Sequence, residues 1–110
     1  MIIRGKKLEA EEYLDATEMG GGLLFDYRKY RFIEGTDDKD RPRYIVVDNR
    51  SGKPMDEVVP GVDEVRIVEL TLVEFHNLCT LYILSLQDGC KDEATPLLLR
   101  DLECIFENSY

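Results

Sequence analysis

The sequence predicts an α+β fold: a small antiparallel sheet of about three strands, a short N-terminal helix and a C-terminal antiparallel helix pair packed on one face. Three observations predict it. Residues 23–33, 44–47 and 65–70 are rich in aromatic and β-branched side chains, which suit a pleated surface. Residues 70–75 combine a capping box with a hydrophobic staple, a pairing that marks a helix start. Residues 98–106 then repeat apolar side chains at the period of a helix. Strands followed by helices, rather than alternating with them, point to α+β. With 110 residues, the expectation is a single domain over 1–110.

Residues 8–17 are rich in Glu, Ala and Leu and read as the short first helix. Gly20-Gly21-Gly22 ends it, because consecutive glycines favour neither helix nor strand. Residues 23–33 read as one extended strand. Phe25, Tyr27, Lys29, Arg31 and Ile33 then lie on one face, with Leu24, Asp26, Arg28, Tyr30 and Phe32 on the other. A polar loop over 34–42 leads to a second strand at 44–47, completing a hairpin with a long charged connection. Ser51-Gly52-Lys53-Pro54 is turn chemistry, residues 55–62 read as loop, and residues 65–70 alternate as a third strand.

Thr71 and Glu74 form the capping box, and Leu70 and Phe75 the staple, of a helix expected to reach Asp88 and stop at Gly89. On its wheel Leu72, Phe75, Leu78, Cys79, Tyr82, Ile83 and Leu86 share one broad face. Val73, Leu81 and Leu84 make a second stripe roughly opposite, and a helix apolar on two sides wants two neighbours. Thr95-Pro96 reads as the cap and first position of the last helix, which buries Leu98, Leu99, Leu102, Ile105 and Phe106.

Composition excludes several classes. The longest apolar run, residues 81–84, is far too short for a membrane span. The N-terminus shows no signal-peptide pattern, and Cys79, Cys90 and Cys104 make an odd count suited to free thiols. A cytoplasmic protein is expected.

Each candidate for chemistry meets a plainer structural reading. His76 with Cys79, Cys90 and Cys104 matches no familiar zinc spacing, so no metal site is expected, and the thiols read as small buried hydrophobes. His76 is the only histidine, and Cys79 on the same helix is a poor nucleophile partner for it, so no catalytic residue is assigned. Asp37-Asp38-Lys39-Asp40 fails the calcium-loop pattern and reads as a solvated tip. Gly20-Gly21-Gly22 lacks the Lys-Ser or Lys-Thr of a phosphate loop, and no cofactor is expected. Residues 27–32 interleave aromatic and basic side chains, as a single-strand nucleic-acid platform does. Alternation over one strand would send those rings to both faces, and the chain is acidic, so direct nucleic-acid binding is not the expectation.

Charge is the remaining feature. Residues 1–53 carry eleven Lys/Arg and eleven Asp/Glu, while residues 54–110 carry three against twelve, which is the whole net charge of −9. Such a field steers encounters with basic partners. The leading expectation is therefore a small non-enzymatic binding or inhibitor protein that docks on a basic surface. Asp56, Glu57, Asp63, Glu64, Asp92, Glu93, Asp101, Glu103 and Glu107 would make the contact. A nuclease or another nucleic-acid-handling protein presents such a surface. Toxin-immunity proteins and phage-encoded inhibitors offer an analogy of size and charge. One alternative is a homo-oligomeric module, a homodimer being its simplest form, joined through Val73, Leu81 and Leu84. The other is a small enzyme, or a single-strand binder using residues 27–32.

Overall fold

A computed structural model describes residues 5–18, 22–87 and 91–108, the side chains of residues 91–94 excepted. In chain order these form β1 (Lys6–Lys7), α1 (Ala10–Glu18), β2 (Gly22–Tyr27), β3 (Tyr30–Thr36), β4 (Pro42–Asn49), β5 (Val65–Leu70), α2 (Leu72–Leu86) and α3 (Lys91–Asn108). A single 3-10 turn, Met55–Glu57, lies in the β4–β5 connection. The class is α+β, built on one antiparallel sheet ordered β1-β5-β4-β3-β2.

The sheet has five strands among the described residues, against the three expected. One extra strand is β1, two lysines paired to Glu69 and Val68, too short and too basic to signal itself. The other comes from a hairpin inside what reads as one strand. The chain reverses at Arg28-Lys29, with Arg28 at φ 54. A two-residue hairpin loop needs a left-handed residue there, and Gly or Asn would advertise it where Arg does not. The reversal changes which side chains share a face. Tyr27 lies opposite Tyr30 and Phe25 opposite Phe32, so all four rings point to one side. Phe25 stacks on Phe32 at 4.4 Å and on Tyr82 of α2 at 4.0 Å.

Helices cover both faces, not one. Tyr30, Phe32, Val46, Val68 and Leu70 meet Phe75 and Leu78 of α2 and Leu98, Leu102, Ile105 and Phe106 of α3. Ile33, Ile45, Val47 and Ile67 meet Leu8 and, from α1, Tyr13 and Ala16. The topology demands this arrangement. β1 and β2 are opposite edges of the sheet, so the helix joining them must cross a face. The unbroken apolar run Ile45-Val46-Val47 of β4 fits a strand buried on both sides.

The helices differ in detail from their expected bounds. α3 starts at Lys91, ahead of Thr95, and Pro96 lies inside it, where its missing N–H forfeits one hydrogen bond near the helix start. α2 ends at Leu86, with Gln87 already extended. Gly20, Gly21, Gly89 and Cys90 lie outside the described residues. α2 is also rotated from its expected pose. Phe75 and Leu78 are buried and Cys79, Leu81 and Tyr82 pack on the same core, while Leu72, Ile83 and Leu86 are exposed. A helix resting on both a sheet and a neighbouring helix turns its inward arc toward the pair of them.

Candidate acidic docking surface

The acidic residues singled out by sequence fall in two places. Asp56 and Glu57 are exposed on the 3-10 turn, and Asp63 and Glu64 close the same connection just before β5. Asp101, Glu103 and Glu107 lie on α3, the first half-buried and the others exposed. The side chains of Asp92 and Glu93 are outside the described residues. The two groups occupy different sides of the sheet. α3 covers the face of Val46 and Val68, whereas the β4–β5 connection reaches the α1 side, where Gly61 closely approaches Ala10. Asp56 also acts there: with the larger effect of Asp26, it raises the affinity of the Arg31 guanidinium for its proton.

What distinguishes these carboxylates is where the basic residues have gone. Arg31 is paired to Asp26 at 2.8 Å, Arg41 to Asp37 at 2.8 Å and Arg43 to Glu69 at 2.9 Å. Lys29, Arg50 and Arg66 surround the buried Asp48. Lys53 holds Asp63 at 2.7 Å, and with the Val59 N–H it keeps that carboxyl below its ordinary range. Asp63 is thus part of the loop's own scaffold. Asp56, Glu57, Glu64, Asp101, Glu103 and Glu107 make no ion pair within 4 Å among the described residues.

The same holds for a group that sequence reasoning missed. Glu9, just before α1, and Glu11, Glu12, Asp15 and Glu18 within it are all exposed and unpaired at that distance. Residues 8–18 hold five carboxylates and no basic residue, and that local count is the signal that could have found them. Averaging over residues 1–53 hid it, because that stretch also holds eleven basic residues, six of them spent in ion pairs with Asp26, Asp37, Asp48, Asp63 and Glu69. Open depressions flank α1 at both ends. One of about 370 Å³ includes Glu9, Asp63 and Glu64 with Lys7 and Arg66 in its wall, and one of about 500 Å³ includes Asp15, Glu18, Asp37 and Asp38 with Arg43. The α1 side is therefore rich in carboxylates, with Lys7, Arg43 and Arg66 set among them.

The other candidates sit as follows. His76 is exposed on α2, and Cys79 and Cys104 are half-buried, burial pushing the Cys79 thiol upward. No three His, Cys, Asp or Glu side chains among the described residues converge on a common ion position. Asp37 is occupied by its own turn, accepting from the Arg41 N–H, the Lys39 N–H and the Arg41 side chain, which holds its carboxyl below the usual range. Tyr30 and Phe32 are buried beneath α2 and α3, so those rings are stacked internally. Val73 is exposed, Leu84 half-buried, and Leu81 turned into the core, so the three do not form one outward stripe. No described helix is long and apolar enough to cross a membrane. Set against protein-family models, curated proteins and solved structures, the chain finds no match.

Proposed function

We propose that this chain is a small cytoplasmic, non-enzymatic binding protein whose acidic surface docks on a basic surface of a partner, in its most concrete form an inhibitor covering the substrate groove of a nuclease. The observation that carries this reading is the imbalance of pairing: seven Lys/Arg side chains are drawn onto five carboxylates (Asp26, Asp37, Asp48, Asp63 and Glu69), and the exposed carboxylates of α1 and α3 make no ion pair among the described residues. Opposite charge across an interface speeds encounter and sets specificity more than it adds affinity. The α1 side, joined by Asp56, Glu57 and Glu64, is the denser of the two acidic areas and is the docking surface in this proposal. The α3 group is the second area.

The test is capture from a cytoplasmic lysate at low and high salt with three baits. One is the natural chain, one carries Glu11→Lys, Asp15→Lys and Glu18→Lys, and one carries Asp101→Lys, Glu103→Lys and Glu107→Lys. A basic partner held at low salt, released at high salt and lost only with the α1 variant is the expected outcome. Loss only with the α3 variant moves the surface to α3. Capture by all three baits regardless of salt overturns the proposal.

A further inference from the structure

The most unusual surface on this molecule for its composition is the outward side of α2. Across 71–87 a single side chain is charged, Glu74, and it is folded back into the capping box at Thr71. In a chain one-third charged, that run is exceptional. The outward positions are nevertheless apolar at both ends. Leu72 is 58% exposed and Val73 66% at the first turn, Ile83 is 54% and Leu86 60% at the last. Between them lie the exposed polar side chains His76, Asn77 and Thr80.

We infer that this face is where a second copy of the chain docks, the two α2 helices packing antiparallel about a two-fold axis near Thr80. Spacing is the first argument. Val73, His76, Thr80, Ile83 and Gln87 follow one another at intervals of three, four, three and four, the seam along which two helices pack at a shallow angle. Symmetry is the second. Reversing the helix about Thr80 sets Val73 opposite the turn of Leu86 and Gln87, sets His76 beside Ile83, and leaves Thr80 facing its own copy. An isologous interface requires such a self-complementary order. Charge is the third. Two molecules of net charge −9 repel wherever carboxylates meet, and α2 offers a face on which none does. A basic partner finds nothing on this face to pair with. The contact is small, since a helix of 15 residues is about 22 Å long. An interface of standard size buries roughly 800 Å² per partner. A contact as small as this one places the dimer among weak, transient associations.

Sedimentation equilibrium of the full chain over a concentration series, at low and high salt, tests this. A monomer–dimer equilibrium that tightens with salt is the expected result, because salt screens the mutual repulsion. That sign is opposite to the one expected for a basic partner, so the two proposals fail separately. Ile83→Lys, on an exposed position, should raise the dissociation constant about tenfold or more with the far-ultraviolet circular dichroism unchanged. Thr80→Cys should cross-link to its own copy under mild oxidation, with mass spectrometry placing the disulfide at position 80 of both chains. A chain that stays monomeric at about 1 mM, where a contact worth as little as about 4 kcal/mol would show, overturns the inference. So does a dimer that survives Ile83→Lys, which would place the contact elsewhere, at the free edge of β2 for instance.

Discussion

Asp48 shows how much of this fold depends on one carboxylate. It is fully buried at the end of β4, where Arg66 Nε donates to its Oδ2 at 2.8 Å, with the Arg50 guanidinium at 3.7 Å and the Lys29 ammonium at 3.9 Å. Arg66 also lies over the Phe106 ring at 4.9 Å, tying α3 to the sheet. Removing one partner of a buried pair exposes the other's desolvation penalty, so Arg66→Ala should cost about 2–3 kcal/mol in urea unfolding. Lys29→Ala, at an exposed and looser contact, should cost less than about 1 kcal/mol. Tyr30 gives a second residue-scale expectation. Burial first, then the Asp48 and Glu103 charges, push its phenol up to about 12 from the ordinary 10.0. The folded state therefore holds the proton more tightly than the unfolded state. Stability is unaffected below about pH 10 and falls as pH rises from about 10 towards 12, by on the order of 1 kcal/mol per pH unit. Alkaline denaturation of Tyr30→Phe, followed by circular dichroism, should begin at higher pH. Asp48 was not legible in the sequence for a simple reason. The apolar run that marks its strand ends at Val47, so nothing in the pattern asks for a buried carboxylate one residue later.

At the scale of elements, legibility follows whether a local rule is obeyed. β5 and the start of α2 stand where the sequence puts them, because alternation in residues 65–70 and the capping box at Thr71 and Glu74 are short-range signals. The box is present in both directions, Glu74 N–H to Thr71 Oγ1 and Thr71 N–H to the Glu74 carboxylate. The β2–β3 hairpin was illegible because Arg28 occupies a left-handed position without a residue type that announces it. Arg28→Val should destabilise by roughly 1 kcal/mol, since a β-branched side chain tolerates positive φ poorly, while Arg28→Asn should not. Thermal unfolding of the two variants checks this. α3 was legible in its apolar stripe and misplaced in its start: Thr-Pro is a helix start by local preference, but the helix already runs from Lys91, so Pro96 falls inside it. For the candidate surface, Asp56, Glu57 and Glu64 were legible from charge alone. The α1 carboxylates were not, because they share their half of the sequence with as many basic residues, six of which are spent in ion pairs with other carboxylates.

At the scale of the whole molecule, the distribution of charge and the topology answer to different logic. Docking of the acidic surface on a basic partner should weaken with salt and self-association through the uncharged α2 face should tighten with it, so ionic strength separates the two proposals. The sheet order has its own implication. β2 to β5 form a run of neighbours in which each strand pairs with the next, a pattern of short closures. β1 is different: it waits for β5, with Lys6 pairing only with Glu69, before it has an edge to join. During translation, then, β1 emerges from the ribosome with no docking place, and α1 emerges beside it without the strands it will cover. Its carboxylates keep that segment hydrated until the meander is complete, so the charges proposed to meet a partner in the folded protein also act as its solubiliser before folding is finished.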